Sequence, residues 1–375
     1  MIDMTLREMN LRVFRGEPLP HVFFQPRFEP WYDWHKQFSR LPKKLDGLSL
    51  REVYDLIGAS MRTVHYYTGQ PDPIQTRYTD KVKIADERDG DQIRRRYDTP
   101  HGSLFETLRL TIDKTWRVVE FAAKKADDLP ALRWLLEQRT IEFSPEKFSV
   151  GAEYIGDRGE PQFWVPKSPY FALAQQWMRY EDFIYALVDE TEQMEDIMQV
   201  IDESYDLLYE QLTSSDLLHI INFGENVAMA YLSPEYFEKY VMPWYIRRAG
   251  QLSDAGIYTH IHIDGYFRGL LPYLKDLPFD GLEALTPLPQ GDVTLEEIRD
   301  NIGDKVLLDG IPAVLFLDYY PFEKLQACVE KIVDLFHPRL VLGISDELPE
   351  GGDEESFDRM AWISKWCRSK KATEV

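Results

Sequence analysis

Thr259-His260-Ile261-His262-Ile263-Asp264-Gly265 is the stretch that decides how this chain is read. Side chains alternate across a strand, so His260, His262 and Asp264 share one face and Thr259, Ile261 and Ile263 the other. Three groups able to bind metal or move protons on one strand face are a costly way to build an ordinary core. Gly265 permits a turn directly after them, and residues 266–277 carry a helical pattern. A strand that ends in polar groups and feeds a helix is where α/β barrels place their chemistry. The segment predicts an enzyme.

Outward from it, from residue 216 onward, strand and helix alternate. Residues 217–223 form an apolar strand ending at Gly224-Glu225. Ser233-Pro234 opens a helix, with serine as N-cap and proline at the first helical position. Residues 281–285 are a short strand carrying Glu283, and Thr294-Leu-Glu-Glu297 is a capping box. Residues 305–311 are a strand with Asp309 near its end. Residues 322–336 are a helix, and 339–344 a last strand leading into Ser345-Asp346-Glu347. Strand spacings of roughly 25–40 residues suit β/α units on a parallel sheet. The predicted fold is α/β, a (β/α)8 TIM-type barrel with an N-terminal α/β elaboration, one domain over residues 1–375.

The first 150 residues are less rhythmic. Residues 20–24 are a strand candidate, followed by the aromatic run Phe28, Trp31, Tyr32, Trp34. Residues 75–85 and 92–97 alternate in strand fashion around Asp89-Gly90, a hairpin signal. Residues 104–125 and 130–138 carry helical periodicity, and 180–211 reads as one or two long helices.

At 375 residues and 44% hydrophobic content the chain can bury a large core. A formal charge of −21 argues against nucleic acid and against anionic membranes as partners. The basic run Arg94-Arg95-Arg96 sits among acidic residues and reads as a solvated strand face. Two cysteines, Cys328 and Cys367, allow no disulfide framework and suit reduced thiols in a reducing compartment. No leader pattern opens the chain, and no apolar run approaches the ~20 residues of a membrane span. A cytoplasmic location is expected.

The carboxyl ends of the strands give a list: Glu225, His262 with Asp264, Glu283, Asp309, and Asp346 with Glu347. In a barrel these ends converge on one mouth. Carboxylates and imidazole gathered there suit a divalent metal of zinc type, with three protein ligands and one open position. Plainer readings stand beside these. Asp309 reads better as a helix N-cap, Glu225 could cap or pair with an arginine, and His260, one pleat deeper, could be a core histidine. Cys328 reads as core packing.

The run Gly224-Glu-Asn-Val-Ala…Leu232-Ser-Pro-Glu-Tyr-Phe-Glu-Lys-Tyr-Val-Met-Pro243…Gly256…His262-Ile-Asp-Gly265 resembles the uroporphyrinogen decarboxylase superfamily. The similarity is closest to the branch containing corrinoid-protein methyltransferases. Supporting segments are Leu270-Leu-Pro…Gly281-Leu-Glu283, Pro287-Leu-Pro-Gln-Gly-Asp-Val293 and Leu342-Gly-Ile-Ser-Asp-Glu-Leu-Pro349. The match covers residues 216–350 well. In the N-terminal part, Phe24-Gln-Pro-Arg27…Trp31-Tyr32 occupies the place of the family's first strand and substrate loop.

The resemblance implies a TIM barrel with its site at the strand C-termini. In the thiol-methylating members a His-x-Cys-Gly motif and a later cysteine hold zinc. Here His262 and Gly265 match, Asp264 stands at the first cysteine, and Ser345 or Asp346 lies at the second. Oxygen ligands would make the metal a harder Lewis acid, suited to polarising a methoxy oxygen or another methyl-bearing heteroatom. The methyl group would pass to a corrinoid carried by a separate partner protein.

The expected machinery is then zinc held by His262, Asp264 and Glu283, with Glu225 or Asp346 as a fourth group or general acid. Gln25, Arg27, Trp31, Tyr32 and His260 are the expected substrate contacts, although the tryptophan and tyrosine could equally pack the N-terminal segment. The partners expected are a small methyl donor, a methoxyaromatic among them, and the corrinoid protein. A homodimer is compatible with the sequence. One rival is a metal-free lyase of the decarboxylase type, dependent on Arg27. The other is a barrel without chemistry serving as a binding subunit.

Overall fold

The structure, a computed structural model, describes residues 4–229 and 232–370. Helix α1 (Leu6–Arg15) starts where the Thr5 side chain accepts from the Glu8 N–H. It ends at Gly16, whose φ of 68° is the left-handed cap that glycine adopts freely. Helices α2 (Glu29–Gln37) and α3 (Leu50–Ile57) follow. Beyond them β1 (Ile74–Tyr78) pairs antiparallel with β6 (Arg139–Phe143). Between these lies a four-stranded antiparallel sheet of β2 (Lys83–Asp89), β3 (Gln92–Thr99), β4 (Gly102–Leu110) and β5 (Trp116–Glu120), in that order.

The hairpin expected at Asp89-Gly90 is the β2–β3 turn, and Arg94-Arg95-Arg96 lies on β3 as a strand. The helix expected over 104–125 is a correction: that span holds β4 and β5. Leu104 and Leu108 are four apart, which satisfies both a helical and an alternating pattern. Pairing with β3 decides between them, setting Leu104 against Tyr97 and Leu108 against Ile93.

The central sheet is six parallel strands in the order β12–β11–β10–β9–β8–β7. They are β7 (Trp164–Val165), β8 (Ile220–Val227), β9 (Tyr258–Ile263), β10 (Gly281–Glu283), β11 (Val306–Pro312) and β12 (Leu340–Ser345). Their hydrogen bonding continues past both edges. Phe24 bridges in parallel to Leu342, and Thr63 bridges in parallel to Gln162, just before β7. The Ser60 N–H donates to the Phe24 carbonyl at 3.0 Å, joining those two short segments to each other.

The helical signals between the strands hold at their caps. Ser233 accepts from the Tyr236 N–H, and Thr294 with Glu297 forms the reciprocal capping box. Residues 180–211 divide into three helices, Tyr180–Asp189, Thr191–Glu203 and Asp206–Thr213. After β9 the chain takes a 3-10 helix, Arg268–Asp276, with Pro272 inside. Proline removes an N–H from the helical ladder, which disfavours an α-helix there.

One apolar cluster lies at the end where the parallel strands begin. There α1 places Met9, Val13 and Phe14 against Ile220, Val306, Leu308 and Val341. This helix covers one end of the sheet and leaves the carboxyl ends of the strands for the site. Among the described residues no helix is long and apolar enough to cross a membrane.

Candidate active site

The register of β9 and β10 sets His260 beside Gly281 and His262 beside Glu283. Alternation turns all three polar side chains to the inner face, where Glu283 becomes a hub. Its Oε1 accepts from Arg27 Nη1 at 3.0 Å and lies 2.9 Å from Arg62 Nη1 and 3.3 Å from His262 Nδ1. Its Oε2 accepts from Asn222 Nδ2 at 2.6 Å. His260 Nδ1 approaches that oxygen to 2.9 Å without hydrogen-bond alignment. Burial alone would raise the Glu283 carboxyl; Arg62 and the two histidines override it and hold the group well below its ordinary value.

The two histidines are driven apart by what surrounds them. Burial lowers His260, and Glu283 does not overcome it. At His262 burial acts the same way, but the Glu283 hydrogen bond and charge win and its pKa is raised. Neighbouring titratable groups pushed in opposite directions are the usual mark of divided acid and base roles. His260 donates through Nε2 to Gln162 Oε1, 2.7 Å away, deep inside the sheet.

Arg62 supports this centre from the far side. It forks onto Asp309 at 2.7 and 3.2 Å, and its Nε donates to Gln25 Oε1 at 2.9 Å. Burial pushes the Asp309 carboxyl up to about 6, with Arg62 opposing. Gly343 makes room for this pair, since a Cβ there would run into the Asp309 carboxylate and stand 2.8 Å from the Gln25 carbonyl. Asn226, Ala284 and Asp346 at strand ends, and Asp309 midway along β11, have φ of 54°, 61°, 71° and 74°. Such left-handed conformations cost about 1–3 kcal/mol each and persist only where surroundings enforce them.

A cavity of about 400 Å³ opens above this centre. His262 and Asp264 from the β9 end line it, with Arg27, Asp346 and Glu347. Arg27 donates through Nη2 to Asp346 at 3.2 Å and Glu347 at 3.4 Å. Its guanidinium lies 5.4 Å from the Tyr66 ring and 5.9 Å from that of Trp164, which also face the cavity. The structure thus brings together His262, Asp264, Arg27 and Asp346, with Glu283 directly beneath His262.

Other expected contacts are corrections. Glu225 was expected at the mouth, but alternation on β8 gives the cavity to Gly224 and Asn226 and turns Glu225 away. Its carboxylate is fully buried, accepting from the Ser168 N–H at 2.5 Å and the Ser168 hydroxyl at 2.8 Å. Gln25 is buried, donating to Asn10, Ser60 and the Met61 carbonyl. His260 is sealed below the cavity floor. Trp31 stacks on Phe357 and donates to the Gly352 carbonyl, and Tyr32 donates to the Leu48 carbonyl. Both pack α2 rather than meet substrate. Asp309, expected as a helix cap, is instead the partner of Arg62.

The expected zinc set does not fit this arrangement. Among the described residues no three His, Cys, Asp or Glu side chains gather as metal ligands. Glu283, which would have to be one, already has both oxygens against two guanidiniums, an amide and two imidazoles. A dication beside Arg27 and Arg62 would meet two fixed positive charges.

Sequence reading missed Arg62, Asn222, Gln162, Tyr66, Trp164 and Lys167. For Arg62 a signal existed, an arginine inside the apolar run Ala59-Ser60-Met61-Arg62-Thr63-Val64, since a buried arginine demands a carboxylate partner.

No protein-family model matches the chain, and no curated protein sequence matches it. Among solved structures, a methyltransferase from Methanosarcina mazei matches at a TM-score of 0.59 and 14% identity, over 97% of this chain and 99% of its own. A putative vitamin-B12 independent methionine synthase from Listeria monocytogenes matches at 0.46 and 12%, over 94% and 98%. A B12-independent methionine synthase from a Shewanella species matches at 0.45 and 13%, over the same shares. The first likeness shows a shared fold along nearly the whole chain.

Proposed function

We propose that this chain is a methyltransferase that removes a methyl group from a methoxy compound, or another methyl-bearing heteroatom, bound in the cavity over His262. In this reading the parallel sheet and its two N-terminal bridging segments form the (β/α)8 barrel. The observation that carries the reading is His262 itself. Its Nδ1 lies against buried Glu283, whose charge raises its pKa and so favours the protonated ring beside the cavity it lines.

Removing methyl from an ether leaves an alkoxide or phenoxide, a poor leaving group unless protonated as the bond breaks. The imidazolium of His262 can deliver that proton through Nε2 while Glu283 stabilises the ring in place. The carbon–oxygen bond breaks, the oxygen takes the His262 proton, and the methyl group goes to the acceptor's electron pair. The acceptor in this reading is a reduced corrinoid carried by a separate partner protein, as the sequence resemblance implies. No step here runs through zinc.

The lyase alternative needs Arg27 as an anchor for a substrate carboxylate. Both terminal nitrogens of Arg27 already serve Glu283, Asp346 and Glu347, so nothing in the geometry favours it. The test is anaerobic incubation with a panel of methoxyaromatics and free reduced cobalamin, following phenol release and the cobalt spectrum. Wild type should release phenol and His262→Gln should not. If no compound is demethylated, or the variant equals wild type, the reading fails.

A further inference from the structure

The cavity over His262 carries positive charge that the proposed reaction does not use. Lys167, just past β7, lines it, and its Nζ donates to the carbonyls of Gly224 at 2.7 Å and Glu225 at 2.9 Å. Among the described residues no carboxylate is within ion-pair reach of that ammonium. A lysine has three protons to donate, so two carbonyls leave one for the cavity. Burial lowers the Lys167 pKa, with the Glu225 charge opposing, and a bound anion would reverse the shift.

Arg117 reaches the same cavity from outside the parallel sheet, on β5 of the antiparallel elaboration. Its one carboxylate partner among the described residues is Asp113, 3.2 Å away in the same hairpin, and its side chain is 66% exposed. The β4–β5 register sets Arg117 directly opposite Arg109. Like charges facing each other across strands destabilise a sheet, so hairpin stability does not account for an arginine there. By contrast Asp346 and Glu347 on the same wall share Arg27 as their ion-pair partner. Asp264 is the remaining lining carboxylate, available to a hydroxyl of the ligand.

We propose that Lys167 and Arg117 form an anion subsite beside His262, so that the methyl donor carries a carboxylate in addition to its methyl-bearing heteroatom. This rests on the methyl-transfer reading for the identity of the ligand, though not for the subsite. A cavity of about 400 Å³ accommodates a single substituted ring, with Tyr66 and Trp164 on its wall. The elaboration then contributes to substrate choice, because its arginine meets the end of the ligand away from the reacting oxygen.

The test is calorimetric binding of para-methoxybenzoate, benzoate and anisole to wild type, Lys167→Met, Arg117→Met and Arg117→Lys, each checked by thermal melting. Wild type should bind both anions more tightly than anisole. Each methionine variant should weaken anion binding roughly tenfold, while leaving anisole unchanged and Arg117→Lys close to wild type. Equal affinity for benzoate and anisole, unaltered benzoate binding in both methionine variants, or no anion binding at millimolar concentration overturns the subsite. Benzoate has no methyl group to give, so its binding is independent of turnover. Demethylation of anisole without anion binding would sink the subsite alone, and anion binding without any demethylation would sink the methyl-transfer reading alone.

Discussion

His262 and Glu283 are adjacent across the β9–β10 register, and the imidazole Nδ1 stands 3.3 Å from the carboxylate Oε1. That one contact sets the protonation of the residue facing the cavity. Glu283→Gln removes the charge that raises His262, so the alkaline limb of the pH–rate profile should move to lower pH. The rate at neutral pH should fall about 100-fold, the lower end of what general acid catalysis contributes. A profile of unchanged shape would show that His262 does not act as the acid.

The same shift has a sign in stability. A histidine whose folded pKa is raised contributes stability that is fully present below its unfolded value and lost as pH rises through the folded one. The difference in melting temperature between wild type and His262→Gln should therefore be largest in mildly acidic buffer and shrink toward alkaline pH. A difference that grows with pH would contradict a protonated His262.

Arg62→Met should be among the most damaging single changes in the chain. It strands the buried Asp309 carboxylate and takes one of two guanidiniums from Glu283, and breaking a buried ion pair costs about 3–5 kcal/mol. In the variant the Asp309 carboxyl, already raised by burial, loses the charge that opposes the rise, so folding takes up a proton there. Stability should then rise as pH falls from neutral toward the ordinary carboxylate range, and urea unfolding across that range checks it.

Zinc content, measured by mass spectrometry on protein purified without chelator, should be far below one per chain and should not respond to His262→Ala. Stoichiometric zinc lost in that variant would restore the metal site that the side-chain geometry disfavours.

Glu225→Ala should act on stability and far less on chemistry. It leaves the Ser168 N–H and hydroxyl without their acceptor, at about 1–3 kcal/mol for such orphaned groups. Turnover per folded molecule should fall by much less than in His262→Gln; an equal loss would return Glu225 to the reacting atoms.

The strand-end residues that proved to meet were legible because their strands were. His262 and Asp264 sit on a run whose alternation is unambiguous, closed by Gly265, and Glu283 and Asp346 end strands of the same kind. Glu225 was misplaced by a single residue, because on β8 the inward phase belongs to Asn222, Gly224 and Asn226. A period of two makes such an error total, moving a carboxylate from cavity to helix layer. Arg62 and Tyr66 escaped notice since the segment carrying them joins the sheet through isolated bridges, too short to display a period. Leu104 and Leu108 misled for a different reason: which of two periods they obey is set by β3, a partner that local spacing does not include. The pairing of Glu283 with Arg27 was hidden, since the two are 256 positions apart.

The bond from Arg27 to Asp346 spans 319 positions of chain, which ties the cavity to the order of synthesis. Arg27 leaves the ribosome 256 residues ahead of Glu283 and 319 ahead of Asp346, the carboxylates it is to meet. Contacts of such separation form late and slow the folding of the whole. A nascent chain stopped before β12 can have the antiparallel sheet in place and still lack one wall of the cavity. The cavity wall is therefore complete only once β12 has been made, and a chain cut before it lacks Asp346 and Glu347.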